Sequence, residues 1–218
     1  MVVKVPRARN PDVAMSLIEA AARLLADEGR PAVTARRLAT EAGTSTMAVY
    51  THFGSMDELF AQMCQEGFAR FGASLEAAGM TDDPVADWIT QGWAYRRFAL
   101  DDPHLYRVMF SDGLAALRSD DPAQMETFFS LLRRIQRCVD AGRLVVDDVH
   151  LAGEAVWAGV HGHMMIELTG FFELVGRDPQ RAYAEGLRVL ALGYGDLPDA
   201  LEDSMRAAWR RSRRLRAA

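Results

Sequence analysis

Residues 34–53 read TARRLATEAGTSTMAVYTHF, and their spacing decides the fold class of the chain. Thr34 is a helix N-cap, because its side-chain oxygen can accept a backbone N–H that the first turn leaves unpaired. Leu38 and Ala39 follow at helical spacing and face inward. Gly43 supplies the left-handed conformation that ends a helix, and Ser45 can cap the next one at once. In that second helix Ala48, Val49 and Phe53 are available for packing, which leaves Thr46, Met47, Tyr50, Thr51 and His52 to look outward. A helix, a tight turn and a second helix with a polar outer face form a helix-turn-helix, whose second helix can enter a major groove.

Outward from this segment, the same punctuation recurs. Asp-Pro pairs mark helix starts at Asp83, Asp102, Asp121 and Asp178, since Asp caps the first turn and Pro fits it. Between the marks apolar residues return at three and four, as in Leu17, Ala21, Leu24 and Leu25, and strand-like alternation is missing. The expected fold is all-α, with nine or ten helices, three short ones before residue 53 and a long one over about 56–78. We expect a helix-turn-helix domain over residues 10–55, joined through that long helix to a larger helical domain over 56–218.

The sequence from Gly43 to Phe60, G-T-S-x-x-x-V-Y-x-H-F-G-S-x-D-E-L-F, resembles the signature of TetR-family repressors. The resemblance implies that the second helix of the motif is the recognition helix. Base-edge contacts would come from Thr46, Met47 and Thr51, and phosphate contacts from Tyr50 and His52. Thr44 and Ser45 stand at its start, and Arg36 and Arg37 on the preceding helix are further DNA-binding candidates. Lys4, Arg7 and Arg9 could add a basic arm. One departure is Met56, where the family usually carries a lysine just before the acidic pair. The implied function is sequence-specific transcriptional regulation, in the family's commonest mode a repressor on a two-fold symmetric operator, released by a small and largely apolar effector. A second reading is a dimeric helical ligand-binding or adaptor protein that no longer binds DNA.

Charge is distributed unevenly. The 218-residue chain carries a net −5, yet residues 1–60 are balanced with seven Lys/Arg and seven Asp/Glu, and residues 61–205 hold twelve against twenty-three. The last thirteen residues add six arginines and no acid. No run of about 18 apolar residues and no signal-peptide core occurs, so a cytoplasmic protein without membrane contact is expected. Cys64 and Cys138 lack ligand or C-x-x-C spacing and read as buried thiols. No metalloprotease, nucleophile-elbow or phosphate-loop motif is found, so no enzyme activity or cofactor is expected. His161 and His163, two apart on a helix, point about 200° from each other and cannot share a metal ion there.

In the larger domain a helix over about 148–171 has two apolar faces. Ala155, Gly159, Gly162 and Ile166 lie on one, and the following helix repeats the small stripe with Ala182, Gly186, Val189 and Gly193. Small faces on two neighbouring helices predict a homodimer interface built as an intermolecular four-helix bundle, as the family resemblance also implies. Trp157, His161 and Gly162 resemble the W-x-x-x-H-G element of one group of TetR-type C-terminal domains. With Trp93, Arg96, Phe98, Tyr106, Met109, Phe110, Phe128 and Met164, the residues Trp157 and His161 are candidates to line an effector pocket. The same aromatic and methionine side chains also suit an ordinary core. The basic tail from Arg206 to Arg216, with Trp209 among the arginines, could be an extra DNA or membrane-surface contact, although such a run is more often a solvated helix end.

Overall fold

The computed structural model describes residues 11–110 and 122–215, and these are all-α: eleven α-helices, a 3-10 turn over Arg30–Ala32, and no strand among the described residues. The helices are α1 (Pro11–Glu28), α2 (Ala35–Glu41), α3 (Thr46–Phe53), α4 (Met56–Glu76), α5 (Pro84–Asp101) and α6 (Pro103–Phe110). They continue with α7 (Pro122–Asp140), α8 (Val149–Glu167), α9 (Phe171–Leu174), α10 (Pro179–Gly193) and α11 (Pro198–Leu215). None is long and apolar enough to cross a membrane.

Three expectations need correction. The first helix is not short: α1 runs 18 residues, and Leu17, Ala21, Leu24 and Leu25 keep one face buried along half of its length. The helix expected over 148–171 ends at Glu167, because Gly170 takes a φ of 75° and turns the chain into the short α9. That extra helix brings the total above nine or ten. The caps at Asp83 and Asp178 form as expected, accepting the N–H groups of Ala86 and Gln180 at 2.9 Å each. Asp121 lies outside the described residues, as do Lys4, Arg7, Arg9 and Arg216.

The described residues fall into two compact units. The first comprises α1, α2, α3, the N-terminal part of α4 and the residues of α6 from His104 on. Its core is Leu17, Leu38, Val49, Phe53, Leu59 and Met63, with Val108 of α6 added. The second comprises the rest of α4, then α5, and α7 through α11. In it α5 is buried on nearly every side, packed against α7 and α11, while α8 packs on both α7 and α10.

Burial of α5 includes a carboxylate. Asp87 has no exposed surface, and it accepts from Thr81 N and Oγ1 at 2.8 Å each, from Arg137 at 2.7 Å and from Arg211 at 2.6 Å. Desolvation alone would raise its pKa; these donors outweigh it and hold the carboxyl below the usual aspartate range. The buried charge therefore ties the turn before α5 to α7 and α11.

Candidate nucleic-acid interface

The turn between α2 and α3 is built from local bonds. Thr34 accepts Arg37 N–H at 3.3 Å, which starts α2. Gly43, at a φ of 62°, ends it: Thr44 N–H donates to Ala39 O at 2.8 Å and Gly43 N–H to Thr40 O at 3.3 Å. This pair of bonds is a Schellman closure, and it satisfies carbonyls that the helix end would leave open. Ser45 Oγ then accepts Ala48 N–H at 3.2 Å and starts α3. The Ser45 oxygen is thereby engaged in capping, and Thr44 is half-buried with its backbone closing the turn.

Val49 and Phe53 anchor α3 in the first unit's core, at 1% and 4% exposure. At 100° per residue Thr46, Met47, Tyr50 and Thr51 fall within one arc of about 140° beside that buried pair, and all four are exposed, Met47 at 72% and Tyr50 at 50%. Thr51 Oγ1 donates to Met47 O at 2.8 Å, which orients the hydroxyl along the helix. His52 lies outside that arc, half-buried, with its ring tilted 48° to that of Phe53.

The arginines of this unit divide into engaged and free. Arg37 donates twice to Glu28, at 2.5 and 2.8 Å, which raises the arginine pKa and lowers that of the carboxyl. Arg30 donates to Asp57 at 2.9 Å and stands 4.4 Å from the ring centre of Phe60. Arg36 is exposed and forms no ion pair among the described residues. Sequence reasoning missed the Arg37–Glu28 pair, whose members lie on different helices. It also missed Ser55, whose hydroxyl accepts Glu58 N–H at 3.1 Å and caps α4.

The effector candidates fall in both units. Tyr106, Met109 and Phe110 lie on α6 in the first unit, where Tyr106 and Met109 have no exposed surface and Phe110 packs against Tyr106 and Phe68. In the second unit Trp93, Arg96 and Phe98 line a cleft of about 260 Å³ together with Arg97, Trp209 and Leu215. Trp209, which the sequence left in a solvated tail, packs on Trp93 with ring centres 5.2 Å apart. Arg96 is bound on its other side: its Nε donates to Glu167 Oε2 at 2.9 Å and its Nη2 to Oε1, and both side chains are buried. His163 Nε2 stands 3.5 Å from the same carboxylate.

Trp157 and His161 stack on each other at 5.3 Å, with His161 Nδ1 placed 3.2 Å from the Tyr95 hydroxyl. Burial lowers the His161 pKa and favours the neutral ring that this contact suits. Met164 has no exposed surface, and Phe128 is half-buried on α7. The residues expected at a dimer interface lie on the surface of α8 and α10: Ala155, Gly159, Gly186 and Gly193 are exposed, and Ala182 and Gly162 half-buried. Ile166 is 46% and Val189 57% exposed, and a Cβ built on Gly162, Gly186 or Gly193 would meet nothing within 4 Å.

Comparison with known proteins places both parts of the chain in one family. Residues 17–63 match the model described as bacterial regulatory proteins, tetR family, and residues 88–190 match the tetracyclin repressor-like C-terminal domain. The HTH-type transcriptional repressor AcnR of Corynebacterium efficiens is 28% identical over 155 residues, covering 66% of this chain and 77% of its own. Among solved structures, the TetR-family transcriptional regulator PfmR of Thermus thermophilus superposes with a TM-score of 0.62 at 22% identity, over 90% of this chain and 97% of its own. RolR in complex with resorcinol does so with a TM-score of 0.60 at 16% identity, over 91% and 93%.

Proposed function

The chain belongs to the TetR family of bacterial regulatory proteins, and from that premise we propose that it is a sequence-specific DNA-binding transcriptional repressor and not an enzyme. The observation that carries this reading is the division of α3. Val49 and Phe53 hold it to the core, while Thr46, Met47, Tyr50 and Thr51 stand together in solvent. A short helix held by a side-chain cap at its start and by a packed inner face presents its outer face at fixed angles, as direct readout of base edges requires. Arg36 supplies a phosphate contact; Arg37 keeps α2 on α1 through Glu28. The DNA-binding domain is residues 10–55, and residues 56–218 serve dimerisation and effector binding.

The protein works in the cytoplasm as a homodimer through the small faces of α8 and α10. Ile166 and Val189 stand exposed there beside open glycines, which supports a close approach by a second copy. A two-fold dimer reads a two-fold related operator. The effector is small and largely apolar and enters the cleft between Trp93, Phe98 and Trp209, whose size suits a single-ring compound. That RolR, of the same fold, is solved with resorcinol supports this scale of ligand. Release follows if the effector favours the conformation that binds DNA poorly.

The test is fluorescence anisotropy on DNA from upstream of the protein's own gene, at two salt concentrations, with Tyr50→Ala alongside. Salt-sensitive binding that the substitution weakens is the expected result. The opposite reading, an adaptor without DNA binding, has Met56 and the engaged Arg30 and Arg37 in its favour; it predicts no binding to that DNA or to a random-sequence pool.

A further inference from the structure

The exposed arc of α3 is as informative for what it lacks as for what it holds. The side chains that read base edges of the major groove by hydrogen bonds are Arg or Lys on guanine, Asn or Gln on adenine, and Asp or Glu on the cytosine amino group. None of these six occurs in α3, whose sequence is TMAVYTHF. The helix holds out instead two threonines, a methionine and a tyrosine: Thr46, Met47, Tyr50 and Thr51.

Helical spacing sorts the four into two stripes. Met47 and Thr51, four positions apart, share one, and Thr46 and Tyr50 share the other. On the first stripe the Thr51 hydroxyl donates to Met47 O at 2.8 Å, so its proton is committed to the helix and its γ-methyl is left to offer a partner. Met47 is 72% exposed and brings an unbranched thioether chain without any donor. The neighbouring Ser45 hydroxyl is occupied as well, accepting Ala48 N–H at 3.2 Å. This stripe is therefore apolar in what it presents.

We propose that the Met47–Thr51 stripe reads thymine, by packing on the C5-methyl groups that T·A pairs hold out in the major groove. The proposal rests on the DNA-binding reading of α3. Its discrimination has two sources. Over thymine, the methionine chain and the threonine methyl cover an apolar group with apolar groups. Over guanine, the same side chains would cover the O6 and N7 acceptors and return no donor, and an acceptor stripped of water without a partner is unfavourable. Arg36 and Tyr50 remain for phosphates, which position the helix without carrying sequence information. A protein partner fits less well, because a stripe of two side chains bordered by Thr46 and Tyr50 is too small for a stable interface.

The experiment first uses the full-length protein to enrich duplexes from a random-sequence pool. An enriched duplex is then remade with deoxyuridine for every thymidine, which removes the C5-methyl and keeps both base pairing and the O4 acceptor. Enriched sequences should share T·A pairs. By fluorescence anisotropy the Kd should rise at least about fourfold on the uracil duplex, the loss expected for one methyl group. The double variant Met47→Ala, Thr51→Ser should bring the ratio of the two Kd values close to one, since serine drops the methyl and keeps the hydroxyl. Met47→Leu, which restores an apolar chain, should retain the ratio, and Tyr50→Ala should weaken binding to both duplexes alike. Equal wild-type binding to the thymine and uracil duplexes, with Tyr50→Ala weaker on both, overturns this proposal and spares the repressor reading. So do enriched sequences that share no T·A pair. A uracil effect that survives at full size in the double variant traces the loss to duplex shape and also overturns it. Wild-type protein that enriches no sequence, and binds no DNA from upstream of its own gene, overturns both.

Discussion

Arg37 closes on Glu28 with two parallel N–H···O bonds, 2.5 and 2.8 Å long, while its chain neighbour Arg36 stands in solvent. The two arginines are adjacent in sequence and opposite in role. Arg37 clamps α2 to the end of α1, and Arg36 is free to meet a phosphate. We expect Arg36→Ala to reduce the salt slope of DNA binding by about 1 per subunit with an unchanged melting temperature. Arg37→Ala should lower the melting temperature and leave the slope near wild type. Equal flattening by both variants would show that the Glu28 pair opens on DNA.

Gly43 holds the helix-turn-helix angle through a φ of 62°, and a Cβ there would meet no atom within 4 Å. The cost of a side chain is thus conformational and not steric. Gly43→Ala should destabilise the protein by about 1 to 2 kcal/mol, read as a lower urea midpoint, and weaken operator binding beyond that loss because the turn between α2 and α3 changes. A variant as stable as wild type would mean that the turn relaxes into another conformation at no cost.

Glu167 and Arg96 form a buried pair on α8 and α5, with side chains 5% and 7% exposed. Burial alone would raise the Glu167 pKa, but the adjoining His163 and Arg96 outweigh it and hold the carboxyl below the usual glutamate range. The folded pKa is therefore depressed. Its contribution to stability is fully present above the unfolded value of about 4.3 and is lost as pH falls through the lower folded value. Glu167→Gln should cost about 3 to 5 kcal/mol at pH 7, since it strands a buried guanidinium. Denaturant midpoints measured from pH 6 to pH 3 should fall less steeply in the variant than in wild type.

Val189 is 57% exposed on α10, beside the open glycines Gly186 and Gly193. A carboxylate at this position is harmless to a monomer and unfavourable at an apolar interface between copies. Val189→Asp should retain wild-type helicity and behave as a monomer in static light scattering, with Gly162→Leu giving the same result through bulk. Variants that keep the dimer mass would place the interface elsewhere.

The amino-acid sequence by itself determined the features whose causes lie within a few positions of chain. Thr34, Ser45, Asp83 and Asp178 cap helices, and Gly43 ends one, because each bond joins groups no more than five residues apart. The period of Leu17, Ala21, Leu24 and Leu25 made α1 helical, although only its buried length set its extent. The outward arc of α3 was legible for the same reason: a helix assigns faces by arithmetic.

Tertiary structure decided what depends on partners far along the chain. Arg96 meets Glu167 across 71 positions, Arg97 meets Leu215 across 118, and Arg211 meets Asp87 across 124, and no local spacing announces such pairs. They turned an expected effector-binding arginine into half of a buried ion pair, and an expected solvated tail into an anchored helix. They likewise divided the aromatic residues, sending Tyr106 and Met109 to one core and Trp93 to a cleft wall. Hydrophobicity says that such side chains will be buried, but it is non-directional. Which neighbours bury them is settled only when the helices pack.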